Sequence, residues 1–128
     1  MWSNMSVPLV YLTRLFQLLS ERKFAEAERI LERITERMKR SGLQEFNRGY
    51  LEALSGIVLT YRSGGESYEF FSNLDLNDTE ALKRHYLDFK QNSENPLHAD
   101  YDRGYFTALA DYMRVVLRTV KGKNEDEG

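Results

Sequence analysis

The chain of 128 residues carries 18 basic and 20 acidic side chains, which gives a formal net charge of −2. Apolar residues make up 41% of it and charged residues 30%, a balance typical of one globular domain with its own core. Nearly balanced charge creates no long-range field for a phosphate backbone, so we expect no nucleic-acid partner. The absence of cysteine excludes disulfides and thiolate metal sites, and it fits the reducing cytoplasm.

The first predicted helix opens at Ser6 or Val7, places Pro8 in its first turn and runs to Leu19. Its apolar run is too short to span a bilayer and has no cleavage site, and Arg14 interrupts it. We therefore expect neither a secretory signal nor a membrane-spanning segment.

The second predicted helix follows a tight turn at 21–23 and has an apolar side that extends from Phe24 to Met38. Gly42 is expected to end it, because glycine accepts the left-handed conformation common after a helix. Acidic and basic side chains three or four positions apart predict ion pairs along its surface. They are Glu28, Glu32, Arg33, Glu36 and Arg37.

Three more helices complete the predicted fold. The third runs from Leu43 to Arg62, and the fourth runs to Gln91 behind an N-cap at Asn77, with Glu80 in its third position. The fifth is expected to start at 95–96 and to end at 121, before a disordered tail over 122–128. Residues 66–76 fit either a short helix or a loop. No period-two alternation occurs, so we predict an all-α domain over residues 1–121.

A ten-residue stretch of the third helix, 45–54, recurs in the fifth helix as 100–109. Arginine, glycine, tyrosine, alanine and leucine are identical at the matching positions. The match predicts an internal duplication of two helical hairpins, roughly 22–63 and 77–121, with one extra N-terminal helix. Both repeated helices carry a broad apolar arc, so we expect them at the centre of the bundle or in a subunit interface.

Glycine and alanine stand four residues apart in each copy, as Gly49 and Ala53 and as Gly104 and Ala108. Glycine inside a helix costs about 1 kcal/mol relative to alanine, so its appearance twice at one place suggests compensation by close packing. We predict that the repeated helices are closely approached at these glycines, either by each other or each by its own partner.

Arg48 and Arg103 are the repeated residues on the polar side, each three positions after an acid. The favoured interpretation is an exposed ion pair in each helix. The alternative is a matched pair of guanidinium groups that binds an anion or an acidic partner.

Residues 23–31 resemble the second helix of a tetratricopeptide repeat (TPR), because Phe24, Ala27 and Leu31 occupy the aromatic, small and apolar positions of that family. The first-helix positions match less well: Tyr11 can stand for the aromatic, but Arg14 and Leu15 replace the usual leucine and glycine. The resemblance implies a TPR-like stack of antiparallel hairpins that binds peptides or proteins. The dense charge and missing cysteine are also similar to small helical proteins of thermophilic archaea.

Residues suited to chemistry are few. His85 precedes Asp88 by three positions and His98 precedes Asp102 by four, so each pair could form half of a metal site. Neither pair belongs to a complete metal motif, and no nucleophile motif is present. We predict no catalytic residue, metal or cofactor. Basic residues at the ends of the second and fifth helices are expected to be solvated and to favour the helix dipole; they are Arg37, Lys39, Arg40, Arg114, Arg118, Lys121 and Lys123.

The sequence favours a non-catalytic module that binds a protein partner or a second copy of itself. The candidate binding residues are the aromatic cluster Tyr68, Phe70 and Phe71, together with the repeated arginines. The alternative is an enzyme, or a regulator that binds a small anion, and it would use Arg48, Arg103, Asp102 and His98.

Overall fold

The structure, a computed structural model, describes residues 7–40, 44–63 and 78–127, with side chains as far as residue 119. It contains five helices and, within these ranges, no strand, so the all-α prediction is confirmed. None of the described helices is long and apolar enough to cross a membrane. The helices are α1 (Leu9–Ser20), α2 (Phe24–Lys39), α3 (Gln44–Ser63), α4 (Thr79–Ser93) and α5 (Asp100–Glu127).

The tight turn predicted between α1 and α2 is present and closes α1 with a Schellman motif. The Lys23 N–H donates to the Leu18 carbonyl oxygen at 2.8 Å, and the Arg22 N–H donates to the Leu19 carbonyl oxygen at 3.1 Å. Arg22 takes the left-handed position, with a φ of 60°, where glycine is the usual residue. Its guanidinium carbon lies 5.0 Å from the centre of the Phe24 ring, which ties the turn to the start of α2.

Several predicted helix starts are shifted. Pro8 is the N-cap of α1 and not part of its first turn, and α1 begins at Leu9. The N-cap of α4 is Asp78, whose carboxylate accepts from the Ala81 N–H at 3.0 Å, and the predicted cap at Asn77 lies outside the described residues. Asn95 does not open α5. Its side-chain oxygen accepts from the Leu97 N–H at 2.9 Å, and its carbonyl oxygen accepts from the His98 N–H. These bonds form a separate turn, and α5 begins only at Asp100.

The end of α5 also differs from the prediction, because the helix continues through 122–127 where a disordered tail was expected. Glycine at 122 lowers helix propensity by about 1 kcal/mol but does not forbid helical dihedrals, and no proline follows it. The predicted end of α2 at Gly42 and the ambiguous segment 66–76 lie outside the described residues.

The centre of the bundle is α5, which packs most extensively against α3 and α4 and also contacts α1. Smaller contacts join α1 to α2 and α2 to α3. The apolar sides of these helices form one buried cluster, because each helix turns its periodic apolar positions inward. Its largest fully buried side chains are Tyr50, Tyr112, Leu12, Leu15, Leu18, Leu19, Ile34, Met38, Leu54, Ile57, Leu82 and Met113.

The two repeated helices cross each other at their glycines. A Cβ atom added to Gly49 would lie 2.8 Å from the carbonyl carbon of Tyr101 and closer still to its oxygen. A Cβ added to Gly104 would meet the carbonyl group of Phe46 in the same way. The glycine Cα–H groups therefore point at carbonyl oxygens of the opposite helix, a geometry that provides weak hydrogen bonds where backbones pack closely. Ala53 and Ala108 are also buried.

Candidate functional site

The two repeated arginines have different surroundings. Arg48 is exposed and forms an ion pair with Glu45, with 2.9 Å between its Nη1 and the Glu45 Oε2. Arg103 is partly buried, and its Nε donates to the Ser93 carbonyl oxygen at 3.4 Å, across the turn that joins α4 to α5. The ion pair predicted for the first copy is present. Arg103 instead contacts the C-terminus of α4, where a cation is favoured by the helix dipole.

The histidine of the alternative site lies in the same turn. The His98 Nε2 is 3.4 Å from the Asn92 Oδ1, and its ring lies against Phe106 with 5.5 Å between ring centres. Asp102 is exposed. His98 and Arg103 thus both hold the turn between α4 and α5, whereas Arg48 lies on α3.

Metal ligands are not clustered in the described ranges, where no three His, Asp or Glu side chains could hold one ion. His85 is partly buried on α4. The aromatic cluster Tyr68, Phe70 and Phe71 lies outside the residues that the structure describes, so its role as a binding surface stays a prediction.

A partly buried acidic side chain lies beside the helix crossing. The Tyr50 hydroxyl donates to the Asp111 Oδ2 at 2.7 Å and links α3 to α5. Burial raises the pKa of Asp111 to about 6, although the hydrogen bond from Tyr50 and the positive charge of Arg114 both act to lower it. The pKa of Tyr50 is raised well above its ordinary value, first by burial and then by the Asp111 charge. This pair joins two helices inside the bundle, so we assign it to folding and not to ligand chemistry.

An open groove runs between α1 and α2 and has a dense lining of charge. Tyr11, on α1, is partly buried and supplies the ring on one side. The other side is α2 together with its C-cap residue Arg40, and these contribute four arginines and two glutamates, all of them exposed. These side chains are Arg29, Arg33, Arg37, Arg40, Glu32 and Glu36.

The spacing of charges along α2 explains why the arginines face the groove. Residues four apart share a helix face, so Arg29, Arg33 and Arg37 form a stripe of one sign, and Glu28, Glu32 and Glu36 form a second stripe beside it. Glu28 pairs with Arg62 of α3, which places the acidic stripe nearer the α3 side of α2. The basic stripe therefore lies towards α1 and the groove. We call the four arginines at 29, 33, 37 and 40 the arginine stripe.

The arginine stripe makes no ion pair and no side-chain hydrogen bond with the part of the chain that the structure describes. Within the described residues, α2 also lacks the ion pairs predicted among five of its own side chains, which are Glu28, Glu32, Arg33, Glu36 and Arg37. Their order explains this absence. Positions four apart carry like charges, and positions three apart place arginine before glutamate, which is the weaker orientation. The stripe therefore keeps its donors available to a ligand.

Two features of the site were missed from the sequence. The arginine stripe was visible as three arginines at four-residue spacing, but neighbouring glutamates suggested that each was already paired. The sequence signal for the partly buried Asp111 was its position on α5. It follows Gly104 by seven residues, about two turns, and therefore lies on the side that faces α3.

In comparisons with known proteins, no protein-family model, curated protein or solved structure matches the chain.

Proposed function

We propose that this protein is a non-catalytic module that binds another protein chain through the groove between α1 and α2. The observation that carries the proposal is the arginine stripe, four exposed guanidinium groups on one face without a partner in the described part of the chain. Single exposed ion pairs contribute little, but several donors spaced along one helix can act together on one partner.

The alternative function, a small-anion regulator or enzyme that uses Arg48, Arg103, Asp102 and His98, has less support. Arg48 has Glu45 as its partner, and Arg103 and His98 have partners in the turn between α4 and α5. A ligand would have to displace these contacts, and the groups lie on different elements. A ligand in the groove would not have to displace an ion pair or hydrogen bond of the arginine stripe within the described residues.

We also propose that the hairpins α2–α3 and α4–α5 arose by duplication. Support comes from the reciprocal crossing, in which Gly49 meets the carbonyl of Tyr101 and Gly104 meets that of Phe46, the residue at the matching repeat position. The TPR-like stacking of these hairpins stays a prediction, and in it α2 would be one of the repeat helices. The duplication and the TPR-like stacking are both compatible with a protein-binding role.

Site-specific crosslinking tests the proposed function. Benzoylphenylalanine in place of Tyr11 puts a photoreactive group in the groove, and the same residue in place of Lys83, exposed on α4, is the matched control. We expect a discrete adduct from position 11 in native lysate, none from position 83, and loss of the adduct in the variant R33E/R37E. The adduct mass separates another protein from a second copy of this chain. Equal labelling from both positions, or an adduct that survives R33E/R37E, would refute the proposal.

A further inference from the structure

We infer that the groove takes an acidic segment of a partner protein, with carboxylates repeated about 6 Å apart, and this inference rests on the proposed function above. The charge of the groove points to an anionic ligand. The groove is lined by four arginines and only two acids, although the whole chain has a net charge of −2. The excess of positive charge is thus local to this face, and it selects a negatively charged ligand.

The spacing of the arginines matches a helical ligand. Arg29, Arg33 and Arg37 follow one another at four-residue intervals, which corresponds to a rise of about 6 Å per step along α2. Glutamates four apart on a partner helix repeat at the same distance, so successive carboxylates can meet successive guanidinium groups. Each guanidinium presents a planar fork of donors that matches a carboxylate.

The two acids of the lining indicate which kind of anion fits. Glu32 and Glu36 stand beside the arginine stripe, and their carboxylates repel a ligand with charge along its whole length. A nucleic-acid backbone is such a ligand, because every nucleotide carries a charge. A protein segment can place carboxylates on one edge and neutral or basic groups on the other. Tyr11 offers its ring to an apolar side chain of the same segment.

Direct binding of a defined probe tests the inference. The probe is a fluorescein-labelled, alanine-based helical peptide of sixteen residues with glutamate at every fourth position. Its control has the same composition with the glutamates moved to different faces. We expect the full-length protein to bind the first peptide at least about fivefold more tightly, and to lose about tenfold in affinity between 50 and 500 mM salt. We expect R33A and R37A to weaken binding about twofold to fivefold each, and R33E/R37E to abolish it.

The controls separate folding from recognition. R84E changes an exposed charge on α4 and should leave peptide affinity unchanged, and R33K/R37K should restore part of the affinity that R33A/R37A loses. Circular dichroism must show the same helicity for all variants. Equal affinity for both peptides, or tighter binding of a single-stranded oligonucleotide of equal charge, would overturn the inference.

The two proposals fail separately. If a partner is crosslinked at position 11 but the protein shows no preference for the acidic peptide, the proposed protein-binding function is supported and the acidic ligand is refuted. If there is neither a crosslinked partner nor a preference for the acidic peptide, both proposals are refuted.

Discussion

The crossing of α3 and α5 predicts opposite effects for one substitution at two glycines of the same helix. A Cβ on Gly49 would lie 2.8 Å from the Tyr101 carbonyl carbon and 3.1 Å from the Tyr105 nitrogen, both of which are backbone atoms. A Cβ on Gly56, two turns further along α3, would have no atom within 4 Å in the described part of the chain, apart from its neighbours and its own helix backbone. The change from glycine to alanine is therefore blocked at one position and unhindered at the other.

The size of the effect follows from these distances. Ordinary contact begins at 3.4 Å, so the carbonyl carbon alone requires the helices to separate by roughly 0.6 Å, and the nearer oxygen requires more. Overpacking of this kind costs about 1–3 kcal/mol, and the lost Cα–H···O contact costs about 0.5–1 kcal/mol. The higher helix propensity of alanine offsets about 1 kcal/mol of this cost. Since backbone atoms cannot rotate away, we expect Gly49→Ala to destabilise the protein by about 1–3 kcal/mol and Gly56→Ala to stabilise it by about 0.5–1 kcal/mol.

Urea denaturation followed by far-ultraviolet circular dichroism measures both variants against the natural chain. Gly104→Ala, on the opposite helix, should reproduce the loss seen for Gly49→Ala, because the contact is reciprocal. If Gly49→Ala and Gly56→Ala had free energies of unfolding within 0.5 kcal/mol of each other, roughly the additivity limit for independent sites, the close crossing would be refuted.

Three further predictions concern single side chains. Burial raises the pKa of Asp111 to about 6, so the folded state holds this proton more tightly than the unfolded state does. The contribution of Asp111 to stability should therefore be largest below about pH 4 and fall by about 3 kcal/mol as the pH rises to 7, and Asp111→Asn should remove this part of the pH dependence in urea titrations at each pH. Tyr50→Phe should cost about 1–3 kcal/mol at pH 7 and raise the pKa of Asp111 further, and an unchanged pH profile would contradict the hydrogen bond. Asp78→Ala should cost about 1 kcal/mol through loss of the α4 cap, whereas Asp78→Asn should cost little, and equal thermal midpoints for both would count against the cap.

Helix content could be predicted because each helix repeats apolar residues on one face, and α1 to α4 lie within a few residues of their expected positions. Helix starts were harder to locate. Asparagine before proline at 95–96 favours both an N-cap and an isolated turn, and the bonds from Leu97 and His98 to Asn95 form the turn. Local sequence does not decide between these two uses of one side chain.

The site was less predictable because it depends on which helices meet. The repeated glycines indicated close packing, but the pairing of α3 with α5 is a tertiary choice that periodicity does not contain. The same limit applies to the arginine stripe. Its availability follows from the place of α2 between α1 and α3, with Glu28 engaged by Arg62.

The helix crossing also constrains the order in which the protein can assemble during synthesis. Gly49 and the carbonyl group it meets are about fifty positions apart in the chain, and α5 is made after the other four helices. Until α5 leaves the ribosome, α1, α2 and α3 have only their smaller contacts with one another, and the apolar sides that pack on α5 stay open to chaperones and to other nascent chains. Contacts this distant in sequence slow folding relative to simple hairpin packing. Synthesis that stalls before residue 100 would therefore leave a fragment whose exposed apolar surface makes it prone to aggregate.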